Sequence, residues 1–427
     1  MYYGEFTTKA RPDILTFSTC PHCRHELGKR QLTSFSTRGN QSFFNLIKAQ
    51  FAAQPAVPEK VGEPDRLPNE GRKILLFSDS RQRAAKLARD MSDASDATVA
   101  RQLAAIAIDR MEHEASEQSM NYIYDYFAMV AVEHHVQIFH DSENEKQRER
   151  LVEHGSIASK NYKRAKSRRQ EYHPRFSIDN APTQMKEQLL HFYCGGYNTL
   201  IDSAISWIEP TDEAKWNAID ALEDAGIDVS EEEFMELFNA WILSTCDNAV
   251  ILGHTIKDTT REKVRPNYVG YGVTKDSKFS TSIRKIMGWG DNDPISAKWN
   301  RILRETFMDE GSESNGKYYI DLSRVKPRFD LSHTWFRCEH CSELTPYMLK
   351  GKCPNCQHES IHPMTDAEIS ALDFWRKPIN DALQGEPIRA IDTEEHTAQL
   401  SHKDQRDELW SKTEQYELRL SLIHISE

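Results

Sequence analysis

The chain has no run of 18 unbroken apolar residues, which excludes a membrane-spanning helix and any membrane partner of that kind. Its opening residues, Met-Tyr-Tyr-Gly-Glu-Phe, have neither a basic start nor an apolar centre and do not read as a signal peptide. Gly-x-x-x-x-Gly-Lys-[Ser/Thr] is absent, so nothing is built to cradle the β- and γ-phosphates of a nucleotide. No acidic pair closes an apolar strand in the manner of a magnesium site. Asp212-Glu213-Ala214-Lys215 follows Pro210-Thr211 and reads as a helix start, where acidic side chains favour the dipole. Positive charge is in deficit: 54 Lys and Arg stand against 66 Asp and Glu, a net charge of -12, so a nucleic-acid contact must be a local patch. Cysteine is scarce. Of 8 cysteines, six fall in Cys-x-x-Cys pairs, which points to metal binding in a reducing cytoplasm rather than to disulfides. At 427 residues there is room for two or three domains.

What is present begins with those pairs. Cys338-Glu-His-Cys341 and Cys353-Pro-Asn-Cys356 are two knuckles separated by 11 residues, the spacing at which two hairpin turns offer four thiolates to one zinc ion. A four-thiolate site leaves no open position for water, so its role is structural. His340 and His358 are bystanders in this reading. Cys20-Pro-His-Cys23 is half a site only. The missing ligands can be His22 or His25, Cys194 or Cys246 from afar, or residues upstream of Met1; a free reduced pair is the alternative.

The most informative stretch is 71–91. Residues 73–77 (Lys-Ile-Leu-Leu-Phe) are short and apolar, as in a strand buried on both faces of a parallel sheet. Ser78-Asp79-Ser80 then supplies cap side chains, and Ala84, Leu87, Ala88 and Met91 recur at helical spacing. A strand, a tight turn and a helix place free helix N–H groups at the carboxyl end of the strand, where α/β sheets bind ligands. Arg81, Gln82 and Arg83 occupy the first turn and suit an anion such as a phosphate backbone. Any βα unit shares this pattern.

Elsewhere the reading is mostly helical. Phe43, Leu46, Ile47 and Phe51 mark an amphipathic helix before Pro55, and 55–68 carries four prolines as a linker. After Met91 helices run for roughly 240 residues, including 99–111 and 122–139. The stretch 146–175 holds ten Lys or Arg against three Glu, either a solvated helix face or a phosphate-contacting strip. Gly226 reads as a C-cap, Ser230 with Glu233 as a capping box, and Phe234, Leu237, Phe238, Trp241 and Ile242 as a buried stripe. Residues 267–290 read as loop. Residues 365–383 read as one helix opened by a Thr365 and Glu368 capping box and bent at Pro378, and 388–391 as a short strand.

Phe77-Ser-Asp-Ser-Arg-Gln-x-Ala-Ala resembles motif IV of the second RecA-like lobe of superfamily 2 DEAD/DEAH-box helicases. Residues 33–55 resemble the segment before that motif, and Glu395-His396-Thr397-Ala398-Gln399-Leu400 with Arg406 resembles the segment before motif V. The spacing of the last differs from the commoner His-Gly-x-Leu form. These segments cover about a third of the chain, in the family's order.

The resemblance implies an α/β fold: a partial RecA-like parallel sheet interrupted by a large, mostly α-helical insertion and a zinc ribbon. The expected parts are a zinc knuckle and helix (1–54), a linker (55–70), a first βα unit (71–95), the insertion (96–335), the ribbon (336–362), and a helix with a second βα unit (363–419). Residues 420–427 break the pattern and resemble translated adapter sequence, a genuine final strand being the alternative.

By this resemblance the chain is a fragment of an ATP-dependent helicase, with ATP and magnesium bound in the intact parent and the first RecA-like lobe outside the chain. Its partner is nucleic acid, DNA before RNA. Ser78, Asp79, Ser80, Arg81, Gln82, Arg83, His396 and Gln399 face that partner, with Arg81 the foremost phosphate contact. The arginine-rich motif VI is absent, so the chain by itself carries no catalytic set. A zinc-stabilised adaptor without motor activity is the second reading. The helicase reading requires 74–77 and 388–391 to share one sheet.

Overall fold

The computed structural model describes residues 7–8, 11–15, 41–55, 72, 74–77, 81–114, 118–139, 145–195, 199–265, 270–313, 316–391, 393–396 and 418–421. The chain divides into two units, Met1–Gly39 and Asn40–Glu427. In the first, strands β1 (Thr7–Thr8) and β2 (Arg11–Leu15) pair antiparallel.

The second unit is mixed α/β and opens on helix α1 (Gln41–Ala53). Ile47 and Phe51 are buried at helical spacing, whereas Leu46, expected on the same face, is 64% exposed. Successive helix residues are rotated by about 100°, and Leu46 falls outside the stripe that Phe44, Ile47 and Phe51 define. The Arg72 Nε–H donates to the Gln54 carbonyl at 2.7 Å and closes the chain behind α1. Strand β3 (Ile74–Phe77) leads to helix α2 (Arg81–Glu114). Ile47, Phe51, Ile74, Met91 and Ile391 form a small core, with Phe44 and Leu87 against it. Helix α2, roughly 51 Å long at 1.5 Å per residue, leaves that core and enters the main one through Val99, Leu103, Ala107 and Met111 without a break.

Helix α3 (Ile123–Glu133) is buried on all sides from Ile123 to Ala131 and is the centre of the main core. It is shorter than the sequence pattern suggested. His135 at φ 53° turns the chain out of the helix, and 136–139 are irregular. Asp125, fully buried on α3, accepts hydrogen bonds from the Tyr172 hydroxyl and from the backbone N–H groups of Arg175 (3.0 Å) and Phe176 (2.9 Å). Burial pushes its carboxyl up, against those donors. Helix α4 (Glu145–Ser167) crosses α3 at Gly155, where an added Cβ would stand 2.2 Å from the Ala128 carbonyl oxygen.

Helix α5 (Thr183–Cys194) is followed by strand β4 (Ser206–Pro210), then by helices α6 (Asp212–Asp224) and α7 (Glu231–Ala249). The capping box at Ser230 and Glu233 is formed, Gly226 sits beyond α6 at φ 78°, and the five-residue stripe on α7 is buried. Three more helices follow: α8 (Asp258–Val264), α9 (Thr281–Met287) and α10 (Pro294–Phe307). Helix α9 falls where a loop was expected. Ser280 caps it by accepting from Ile283 N–H, and the αL residue Gly288 ends it.

Arg261 on α8 is fully buried. It donates to the carbonyls of Leu252 (2.9 Å), Gly253 (2.5 Å), Ile256 (3.3 Å) and Val250, and lies 4.0 Å over the Tyr319 ring. One cation thereby satisfies four backbone acceptors that no regular element pairs.

Strands β5 (Met308–Glu310) and β6 (Tyr318–Ile320) pair antiparallel, as do β4 and β7 (Val325–Phe329). Strands β8 (Phe336–Cys338), β9 (Leu344–Thr345) and β10 (Ile361–Pro363) form the antiparallel ribbon, in the order β10, β8, β9.

The segment expected as one helix is two, α11 (Asp366–Ser370) and α12 (Asp373–Leu383). The Thr365 and Glu368 capping box is formed, but the break falls at 371–372, six residues before Pro378. Pro378 remains inside α12. Residues 388–391 are not a strand: Ile388 and Ile391 are buried, and the Ile391 N–H donates to Ser95 Oγ at 2.7 Å instead of to a ladder. The helicase reading required 388–391 to share a sheet with 74–77; they lie in no sheet, which counts against that reading. The strand is β11 (Thr393–His396), and it shares a parallel sheet with β3 through β12 (Leu418–Ser421), in the order β11, β12, β3. Leu420 and Ser421, read as part of a foreign tail, are paired with Leu76 and Phe77 in that sheet.

Candidate metal centre

Cys338 ends β8, and Cys341 lies three residues on in the knuckle turn before β9. Cys353 and Cys356 form the facing knuckle after the hairpin at Lys350 and Gly351, both in left-handed conformation. Each knuckle closes through its backbone: Ser342 N–H donates to the Cys338 carbonyl (2.8 Å), and Gln357 N–H to the Cys353 carbonyl (2.9 Å). Ser342 (φ 62°) and Gln357 (φ 67°) take the αL conformation that reverses the chain after the second cysteine of each pair. The sequence gives no glycine there to signal it.

The four sulfurs converge. Cys338 to Cys356 is 3.5 Å, Cys341 to Cys353 is 3.6 Å, and all four lie within 4.8 Å of one another. Tetrahedral zinc with sulfur at about 2.3 Å requires sulfur pairs about 3.8 Å apart, so the set fits the ion. Cys338 and Cys353 are fully buried. In the Cys341 and Cys353 pair the thiol of Cys341 holds Cys353 down at about 5, aided by backbone N–H groups of Cys356 and Asn355. Burial pushes Cys356 up to about 12, so the ion must displace protons to bind. The rings of His340 and His358 stack 4.5 Å apart and are not part of the four-ligand group.

The ribbon is fastened to the main core. Lys350 N–H donates to Glu236 of α7 (2.8 Å), Tyr347 Oη to Glu209 of β4 (2.7 Å), and Leu349 is buried in the main cluster. Trp335 meets Trp207 edge to face at 5.7 Å, and His333 stacks on Trp207 at 4.2 Å. A closed four-sulfur site in this position can hold two strands and a loop in shape; it offers no coordination position for a substrate.

Cys194 and Cys246, considered as distant ligands for Cys20 and Cys23, are buried neighbours in the main core. Cys20, Cys23, Ser78, Asp79, Ser80 and Gln399 lie outside the described residues, as does Arg406. Arg81, Gln82 and Arg83 are the first residues of α2, four to six positions beyond the end of β3, and His396 is the last residue of β11. The structure therefore brings the start of α2 and the carboxyl ends of β3 and β11 to one parallel sheet.

Asp212 reads in the sequence as a helix start after Pro210-Thr211 and not as the end of an apolar strand. Strand β4 does precede it, ending at Pro210. The strand is one of an antiparallel pair, however, and Asp212 opens α6 with Lys326 at 3.1 Å and Lys215 at 3.7 Å, so two ammonium groups already compensate its charge. The hydrogen bond from Lys326 holds its carboxyl below the usual range. A second group, His254, Asp309 and Asp321, was not visible in the sequence. Its ligand atoms lie within 4.8 Å of one another, but Arg324 stands 3.4 Å from Asp309 and 3.2 Å from Asp321 and takes up the charge a cation would meet.

No protein-family model matches the chain, and no solved structure matches it. The chain is similar to Druantia protein DruE of Escherichia coli (strain UMEA 4076-1), 26% identical over 430 residues. That alignment takes in 97% of this chain and 22% of the relative, so the chain spans about a fifth of the length of the curated protein it matches. Among the described residues, no helix is long and apolar enough to cross a membrane.

Proposed function

We propose that the chain supplies nucleic-acid-contact and lobe-interface elements to an ATP-dependent superfamily 2 helicase or translocase, and does not hydrolyse ATP by itself. The observation that carries this reading is the parallel sheet β11–β12–β3, with the motif IV-like residues between β3 and α2. In parallel α/β sheets the carboxyl ends of the strands and the helix N-termini beyond them are where anions are received. The order of the family-like segments and an alignment covering 22% of a much longer protein support it. ATP and magnesium would then be held by parts of a longer protein, since this sequence has no phosphate loop. DNA is the proposed substrate strand, and the four-cysteine ribbon is a locally clipped module fastened to α7 and β4.

The test is DNA-stimulated ATP hydrolysis by the longer protein encoded around this reading frame. Loss of stimulation in Arg81→Ala and Arg406→Ala variants is the expected result. ATP turnover by the 427-residue chain alone overturns the statement that it does not hydrolyse ATP by itself; a flanking sequence with no phosphate loop upstream and no Gln-x-x-Gly-Arg-x-x-Arg downstream overturns the motor reading. The latter outcome favours the second reading, a zinc-stabilised adaptor, for which the ribbon fastened to α7 and β4 is the specific support.

A further inference from the structure

The chain is acidic overall, with a net charge of -12, yet residues 160–169 contain six cations and no acid: Lys160, Lys163, Arg164, Lys166, Arg168 and Arg169. All six side chains are exposed at the C-terminal end of α4. The opposite face of the helix fixes which way they point. Leu151 and Ala158 are buried, and Gly155 lies against the Ala128 backbone. Tyr162 is held between Glu114, to which its hydroxyl donates, and Arg110, 5.3 Å over its ring.

Beyond the helix, Arg168 N–H and Gln170 N–H donate to the carbonyls of Arg164 (3.2 Å) and Ala165 (2.9 Å). Arg169 takes φ 55°, so the two terminal arginines are set by a closed C-cap.

Local acids account for only part of this charge. Lys166 is 2.9 Å from Glu114, and Lys163 is 3.9 Å from Glu133. Among the described residues, Lys160, Arg164, Arg168 and Arg169 form no ion pair. Lys160, Arg164 and Arg168 recur every four residues, so they share one stripe and repel one another. A helix C-terminus welcomes one or two cations in its last turn. A stripe that begins two turns earlier gains little from the dipole. Water and salt screen its self-repulsion, and a negative partner relieves it further.

We propose that the end of α4, Lys160 to Arg169, is a binding site for the phosphate backbone of duplex nucleic acid. It is a second contact, separate from the start of α2, and rests on the nucleic-acid reading above only for the identity of the polyanion. The stripe from Lys160 to Arg168 is roughly 12 Å long at 1.5 Å per residue. Duplex DNA presents one charge per about 1.7 Å of axis, so several phosphates lie within its reach. Nothing in the site reads base edges, so the contact is sequence-independent.

The test is fluorescence anisotropy of the full chain with a labelled duplex of random sequence, across a salt series. Arg164→Gln, Arg168→Gln and Arg169→Gln combined should weaken binding at low salt at least ~10-fold and make the salt slope shallower by about 2 to 3. Glutamine keeps helix propensity, so circular dichroism and Tm should stay at the parent values. Lys146→Gln with Arg150→Gln, at the far end of the same helix, should stay within about two-fold of the parent. Parent-like binding by the triple variant, no binding by the parent chain, or an equal loss in the far-end variant each overturns the proposal. So does parent binding to phosphatidylserine vesicles in place of DNA. Failure of the motor reading would look different: no DNA-stimulated ATP hydrolysis in the longer protein, with binding by this strip intact.

Discussion

Replacing Cys353 by serine tests the metal centre most directly. Cys353 is fully buried, 3.6 Å from Cys341 and opposite the Cys338 and Cys356 pair, so its loss leaves three thiolates and a hydroxyl that binds zinc far less well. An ion held by the four thiolates would clip a loop of 13 residues from Cys341 to Cys353. Closing a loop of that length is worth about 3 kcal/mol in the chain-entropy picture. Three short strands, the longest of three residues, cannot replace that with apolar burial. The main core does not depend on the clip, because α3 is buried among helices. Cys353→Ser should therefore reduce bound zinc from one ion per chain to near none. By amide exchange it should raise opening of residues 336–363 about 100-fold, the equivalent of ~3 kcal/mol. Amides of α3 should exchange at their parent rate. A variant that keeps one zinc ion, or that loses protection in α3 as much as in the ribbon, refutes the argument.

Three further outcomes are expected. Gly155→Ala places a Cβ 2.2 Å from the Ala128 carbonyl oxygen, which is backbone and cannot swing away, so chemical denaturation should show a loss of about 1–3 kcal/mol or more. Arg261→Met removes the donor to four carbonyls while keeping an apolar stem, and should cost roughly 3–5 kcal/mol by the same assay. Acid should destabilise in two stages. Burial, the largest influence on His154, lowers its pKa, so the stability it gives is present above the ordinary value of about 6.5 and is lost as pH falls through the folded value. Glu133 is raised by burial, but the stronger combined effect of Arg110 (2.6 Å) and Ser159 (2.8 Å) holds it below its ordinary value. Its contribution is lost below about pH 4.3. Thermal melts of His154→Gln and Glu133→Gln should each flatten their own window; a parent-like profile in both refutes these assignments.

The parts of the molecule legible in sequence are those fixed within a turn or two of chain. The capping boxes at Ser230 with Glu233 and at Thr365 with Glu368 each join a side chain to a backbone group three residues away, so spacing alone defines them. The α7 stripe follows from helical period, and the four thiolates from two knuckles whose geometry is local. Where two neighbouring apolar residues compete for one face, the period decides loosely. Leu46 is exposed beside the buried Ile47 because packing under β3 selected the second.

Strand choice was decided by tertiary structure. Ile388 and Ile391 carry the stronger strand pattern, yet Ser95 takes the Ile391 N–H and the pair serves as core beneath α2. The ladder forms instead at Thr-Glu-Glu-His, residues 393–396, whose polar composition gives no such signal. Its partner, Leu418–Ser421, lies more than twenty residues away and becomes the middle strand of the sheet. Hydrogen bonds between parallel strands join residues that no short window contains, so their register is set by what the flanking helices bury. The sequence by itself determined the thiolate cluster, the caps, the helix faces and the acidic balance. Only the folded chain decided which segments pair in the parallel sheet, that α2 runs unbroken from one core to the other, and that the cations of α4 stand together on an open face, since each is a consequence of distant segments competing for the same buried space.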